Sequence, residues 1–402
     1  MLLAGLVCVA ALVAEAAGAP IRQARTLALS ESCEAALLRA LRNGLVNSER
    51  DVLRVARELD AARAAGSIDV DQLGLLGVPV CCLSLDAGVS TTALERSGAL
   101  VLTQFSAEAA SGLVNPRDAE FRLTDGRAED ADRAVAAVAA GRVAAAVLQP
   151  RSVPLSVSWT GITALRLPAS EEGTVLCGGS VEDVAMLLDS LRPGVYEHPA
   201  RSKISLQGLR LAYCSQESAL FDGPVESCVS VAVEAAVEML RSLGAECVRL
   251  PSLGEELSLP EGCAALLTPH APSAAVAVSE RSHRPLEERR SLGARLRSRA
   301  LLSLPAGVVA GEDDGYDSSL NELLHSEGLP VNLLVVSAGD SADSVTAVSL
   351  IGHRFEQASR WSSELLAAGQ SRLEAKADLD DARELFGIFF PSTLLRYVGK
   401  RR

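Results

Sequence analysis

Between residues 34 and 65 the apolar side chains Leu37, Leu38, Leu41, Val52, Val55 and Leu59 recur at three- and four-residue spacings. That period predicts two amphipathic helices, separated near Asn43-Gly44 where the pattern breaks. From residue 73 to 85 the pattern changes to a nearly continuous apolar run through Leu76-Gly77-Val78-Pro79-Val80-Cys81-Cys82-Leu83, which predicts a buried strand region. A helix over 92–97 leads through Gly98 into a strand over 99–102. Residues 130–141 read as an Ala-rich helix closed by Gly141, and 143–148 as a short buried strand followed by a loop that holds Ser152.

The alternation continues along the chain. A helix is predicted over Val181–Leu191, stopped by Pro193 and Gly194, and a strand over 208–214. Val229, Val233, Ala236, Val237, Leu240 and Leu243 form one helical stripe that Gly244 ends. Strands are predicted at 247–250, 333–336 and 345–351, with helices at 353–368 and 379–385, and Arg289 to Leu302 reads as an arginine-rich helix that is either a contact surface or a solvated basic face. Helices and strands that alternate in this way indicate the α/β class.

Composition narrows the function classes. With 48% apolar and 22% charged residues in 402, the chain is that of a globular protein with a sizeable core, and 3% aromatics means that Ala, Leu and Val must fill it. A net charge of -13 and few stacking side chains argue against direct nucleic-acid binding. The nine cysteines are scattered through apolar runs without a CxxC pair, and the five histidines are isolated, so the sequence implies buried thiols in a reducing compartment and no metal or other cofactor.

The first residues carry no acid before Glu15 and no base before Arg22. An apolar stretch of about thirteen residues is too short for a typical membrane span, and no later run is long and apolar enough for one. The segment lacks the positive start of a secretory signal, whereas Arg22 and Arg25 suit an organellar presequence. The sequence is therefore divided into a leading targeting or apolar segment, 1–25, and a single body, 26–402.

Several segments, taken in order, resemble the amidase signature family, and within it the A subunits of glutamyl-tRNA(Gln) amidotransferase. Leu76-Gly77-Val78-Pro79-Val80 is similar to the family's G-[IV]-P-[IV] segment, and Thr160-Gly161-Ile162-Thr163-Ala164-Leu165-Arg166 to T-G-V-V-G-L-K. The helix Val181-Glu182-Asp183-Val184-Ala185-Met186-Leu187-Leu188-Asp189 is similar to V-E-D-A-A-L-L-L-D, and Gly328-Leu329-Pro330 with Leu350-Ile351-Gly352 to the closing pair of landmarks. Leu292-Gly293-Ala294-Arg295-Leu296-Arg297-Ser298-Arg299 adds the A-subunit likeness. The resemblance implies an amidase-signature fold, a central mixed β-sheet flanked by helices on both faces.

It also implies a chemistry: a serine nucleophile, a lysine that activates it through a second serine, and loop amides that stabilise the oxyanion. Against that pattern, the lysine falls on Leu83, the bridging serine on Asp130 and the nucleophile on Ser152, while Pro150 deletes an N–H donor from the nucleophile loop. Leucine accepts no proton, and the chain's three lysines, at 203, 376 and 400, all lie beyond this region. The expected function is therefore a catalytically inactive structural or assembly subunit, bound to other protein subunits of a larger complex and placed in the mitochondrion, with secretory targeting as the alternative address. The competing expectation is an active amidase or amidotransferase A subunit hydrolysing an amide through Ser152; a separate reading makes Asp130 a base toward Ser152, which requires desolvation to raise its pKa.

Overall fold

A computed structural model describes residues 20–41, 49–83, 89–102, 131, 134–135, 137–139, 143–148, 153, 157, 161–168, 173–200, 202, 205–220, 223–225, 227–253, 259–270, 296, 298–309 and 329–359. The first described elements are three helices, α1 (Pro20–Ser30), α2 (Cys33–Leu41) and α3 (Glu49–Ala64). The break between α1 and α2 is held by side chains: Ser32 Oγ accepts the N–H of Ala35, and the carboxylate of Asp60 on α3 accepts those of Cys33 and Glu34 at 2.8 and 3.0 Å. Free N–H groups at a helix start need such acceptors.

Strands β1 (Pro79–Leu83), β2 (Leu100–Leu102), β3 (Ala145–Leu148), β4 (Thr163–Arg166), β5 (Val175–Gly178), β6 (Arg210–Tyr213), β9 (Glu246–Arg249), β10 (Cys263–His270), β11 (Leu301–Val309) and β12 (Leu329–Ser337) form one sheet. Its order is β2-β1-β3-β5-β4-β11-β12-β10-β6-β9. Pairing is parallel among β2, β1 and β3, antiparallel from β3 across to β10, and parallel again from β10 through β6 to β9. A small antiparallel pair, β7 (Glu217–Ser218) and β8 (Gly223–Pro224), lies apart from it.

Both faces of the sheet are covered, which explains why its strands read as unbroken apolar runs. Successive side chains alternate between the faces: Leu334 and Val336 of β12 join one cluster and Leu333 and Val335 the other, as do Leu301 against Leu302 in β11. The first face packs under α2, α3 and the helical residues 131, 134–135 and 137–139, through Leu37, Val52, Ala134 and Val138. The second packs under α4 (Val89–Arg96), α5 (Val181–Leu191), α6 (Ser227–Ser242) and α7 (Ala342–Ala358), through Leu94, Leu187, Val237 and Phe355. Each large aliphatic side chain buried in this way contributes about 1.5–3 kcal/mol.

Two glycines allow close approaches. Gly77 adopts φ 69°, and a Cβ there would collide with the Cβ of Ala28, so β1 enters the sheet directly beneath α1. A Cβ at Gly352 would strike Leu302, which fixes how near α7 lies to β11.

The structure corrects two sequence expectations. The strand predicted at 345–351 lies inside α7, which also absorbs the start of the helix predicted from 353 and ends at Ala358. Ser341 caps α7 by accepting the N–H of Ser344, and the buried residues Val345, Val348, Ile351 and Phe355 recur at helical spacing. A short apolar run does not by itself separate strand from helix. The arginine-rich helix predicted over Arg289 to Leu302 does not reach its end, because Leu301 and Leu302 are buried residues of β11. The leading residues 1–19 and the helix predicted at 379–385 lie outside the described residues; α1 begins at Pro20 and runs through position 25.

Candidate active-site region

Strands β1 and β3 are parallel neighbours in register, with Val80 opposite Ala145 and Leu83 opposite Leu148. The chain therefore leaves both strands at the same edge of the sheet. Leu83, on which the lysine position falls, is the last residue of β1, and the loop that holds Ser152 begins just past Leu148. Ser152, Asp130 and the side chain of Leu83 lie outside the described residues. Their flanks are described: Ala131, next to Asp130, is a buried helical residue, and Val153, next to Ser152, is buried against the first face.

The connection after β3 has an unusual path. Because β3 and β4 are both antiparallel to β5, which lies between them, they run in the same direction, and Ala145 and Thr163 share Gly178 as their partner. The chain must therefore return across the sheet between the two strands, and of the described residues there Val153 and Val157 are buried on the first face.

Beneath the crossing lies a buried polar cluster. His270 of β10, Ser303 of β11 and Asn332 of β12 have no exposed surface. Asn332 Nδ2 lies 3.2 Å from the carbonyl oxygen of Val157, 3.0 Å from that of Ile162 and 3.0 Å from Ser303 Oγ. Its two hydrogens are shared among three acceptors. Ser303 Oγ is also 2.7 Å from His270 Nδ1. Burial pushes the His270 imidazolium down to about 3, so the ring is neutral. Ser303 Oγ accepts from Asn332 and shares one further hydrogen with His270 Nδ1, whose direction the ring tautomer sets.

This network ties the crossing segment to the central strands at two carbonyls. Sequence reasoning treated His270 as an isolated histidine and missed Ser303 and Asn332. The available signal was a polar side chain inside an apolar strand, which demands an internal partner. The cluster pairs a serine with a neutral base, but the absence of exposed surface at each member makes it an internal contact, not an open cleft.

Among the described residues no group of three or more His, Cys, Asp or Glu side chains is placed to hold a metal ion. The cysteines at 33, 81, 82, 177, 214 and 263 are buried, and none of those described is in a disulfide. Burial raises the Cys177 thiol above its ordinary range, which leaves it an apolar filler. Among the described residues no helix is long and apolar enough to cross a membrane.

No protein-family model matches the chain, and no curated protein matches it by sequence. Solved structures do match. The peptide amidase of Stenotrophomonas maltophilia superposes with a TM-score of 0.54 at 16% identity, over 86% of this chain and 97% of the amidase. A bacterial aryl acylamidase of the amidase signature family gives 0.52 at 14% identity, over 90% of this chain and 97% of that one. Fatty acid amide hydrolase gives 0.55 at 15% identity, over 85% of this chain and 84% of the hydrolase. The chain has the amidase-signature fold: a large mixed sheet with helices on both faces.

Proposed function

We propose that this chain is a catalytically inactive relative of the amidases, descended from a form like the A subunit of glutamyl-tRNA(Gln) amidotransferase. In this reading it serves as a structural or assembly subunit of a larger mitochondrial complex. The observation that carries the proposal is the apolar end of β1. On the resemblance, the position that requires a proton-accepting lysine is Leu83, which stands opposite Leu148 at the edge where the Ser152 loop begins. A positioned general base contributes about 10²–10⁴-fold to such a reaction. An Asp130 carboxylate without glycine-rich oxyanion amides is a poor replacement.

The test is direct. A fluorophosphonate probe is expected to leave the purified protein unlabelled, and hydrolysis of glutamine and simple amides is expected at background. Activity that Ser152→Ala abolishes would establish the alternative, an active amidase. Partner subunits are expected to co-purify from mitochondria in a stoichiometric assembly; recovery of the chain alone, as a monomer, would sink the scaffold reading.

A further inference from the structure

On the second face of the sheet α5 and α7 pack against each other. At one end a Cβ on Gly352 of α7 would lie 3.2 Å from the Val181 side chain at the start of α5. Further along α5, Ala185 and Asp189 line a small cavity together with Ser349 and Thr346 of α7, because Ala185 and Ser349 are too short to close the gap between the helices. The chain beyond α5 supplies the remaining wall. Pro193 and Gly194, the latter at φ 73°, end the helix and turn the chain. Tyr196 then packs into the second-face core, which brings Glu197 to the mouth of the cavity.

The cavity has a volume of about 10 Å³ for the centre of a water-sized sphere, room for one water or one group of that size. Ser349 is 4% exposed, yet its hydroxyl has no hydrogen-bond partner among the described residues, where a buried hydroxyl ordinarily has one. Thr346 adds a second hydroxyl to the same wall. Neither Asp189 nor Glu197 is in an ion pair among the described residues. Arg354 of α7 is turned away to the Ser202 carbonyl and to Gln357. Asp189, Glu197 and the neighbouring His198 are not placed to share a metal ion.

We propose that this cavity binds a primary alkylammonium ion: the ammonium head enters between the Asp189 and Glu197 carboxylates and donates to the Ser349 and Thr346 hydroxyls. The head group is the size of a water and carries three donors and no acceptor, which matches two carboxylates and two hydroxyls able to accept. Its charge offsets carboxylates that otherwise face the cavity together. A guanidinium is too broad for a space of one water, and a quaternary ammonium brings no N–H to the buried hydroxyl. A carboxylate or phosphate would meet two like charges. The alkyl stem then lies against Ala185 and Leu188, with the apolar part on the helix and the charge at the polar wall. Because α5 and α7 cover the second face whereas Val153 and Val157 are buried on the first, the site is separate from the candidate active-site region, and it stands whether or not the chain is catalytic.

Isothermal titration of the full chain with n-butylammonium chloride tests this. The wild type is expected to bind it in the millimolar range, and tetramethylammonium, which has the same charge but no N–H, roughly tenfold more weakly. Ser349→Ala is expected to weaken n-butylammonium binding roughly tenfold and Asp189→Asn by a similar factor, with about threefold for Glu197→Gln at the exposed mouth. The net charge of -13 attracts any cation, so an affinity that Ser349→Ala and Asp189→Asn leave unchanged would put the ammonium elsewhere and overturn the proposal. A wild type that takes up no n-butylammonium also overturns it, the cavity then holding an ordered water only. So does tetramethylammonium bound as tightly as n-butylammonium. If Ser349→Ala does not fold, Asp189→Asn and the tetramethylammonium comparison decide.

Discussion

The buried cluster under the crossing segment and the buried carboxylate at the start of α5 do the same mechanical job with opposite electrostatics. Asn332, Ser303 and His270 fasten residues 157 and 162 to the sheet with neutral groups only. Asp183 and Glu356 fasten α1 and α5 with groups that ionise. Burial acts on both in the direction that disfavours charge, and so the two respond to pH with opposite sign. A buried histidine held below its ordinary value makes the fold lose stability as pH falls from about 6.5 toward 3. A buried aspartate held above its ordinary value makes it lose stability as pH rises from about 4 to about 7. Polar groups are admitted to this core in both places, neutral in the first and carboxylic in the second.

The largest effect is expected from Asn332→Leu. The substitution leaves two buried carbonyls, at Val157 and Ile162, without their donor, and removes a donor to Ser303. We expect a loss of about 3 kcal/mol in urea unfolding, with hydrogen exchange at 157–162 rising more than in α5. An unchanged midpoint would mean that the crossing is held by Val153 and Val157 packing alone.

His270→Gln comes next and addresses the sign of the contrast. It replaces a titrating ring by a neutral amide that still reaches Ser303, so the unfolding midpoint is expected to change little at pH 8. Between pH 6.5 and 3 the wild type is expected to lose stability that the variant keeps, because the His270 ring, held down to about 3, must otherwise be protonated on unfolding. Urea midpoints measured across that range decide it, and parallel acid limbs in the two proteins would remove His270 as the cause.

Much of the fold was legible in the sequence, and the physical reasons divide along the same regions. The helix Val181–Leu191 was legible to the residue because Pro193 and Gly194 follow its end, and the structure adds Ser180 as its cap. The strand ending β1 was read from its apolar run. By contrast, 345–351 carries Val345, Val348, Leu350 and Ile351 in a span short enough to satisfy either period, and the helical period shows only with the Ser341 cap before it and Phe355 beyond it. Strands β4 and β5 were not assigned, since each is a four-residue apolar piece whose identity comes from its neighbours, and β10 and β11 were not because Pro269, His270, Ser303 and Pro305 interrupt their apolar runs. The candidate positions Leu83, Asp130 and Ser152 come from the family resemblance alone, and Asp130 and Ser152 lie outside the described residues. The His270–Ser303–Asn332 cluster was not legible, because residues separated by 33 and 29 positions meet only through the register of three strands.

Ser303→Ala is the smallest of these changes and the most discriminating about the cluster itself. It removes the hydroxyl that accepts from Asn332 and shares a hydrogen bond with His270 Nδ1, but leaves Asn332 free to serve Val157 and Ile162. Deleting one shared member while the carbonyl clamp survives is expected to lower stability by about 1 kcal/mol, well short of Asn332→Leu. The acid limb set by His270 is expected to persist, since burial rather than the hydroxyl is what holds the ring neutral. A loss equal to that of Asn332→Leu would make Ser303 the centre of the network and the carbonyl contacts secondary. Fluorophosphonate labelling of the wild type that Ser303→Ala abolishes and Ser152→Ala does not would break the comparison more deeply, because the neutral cluster would then be a reactive serine–histidine pair and not a fastening.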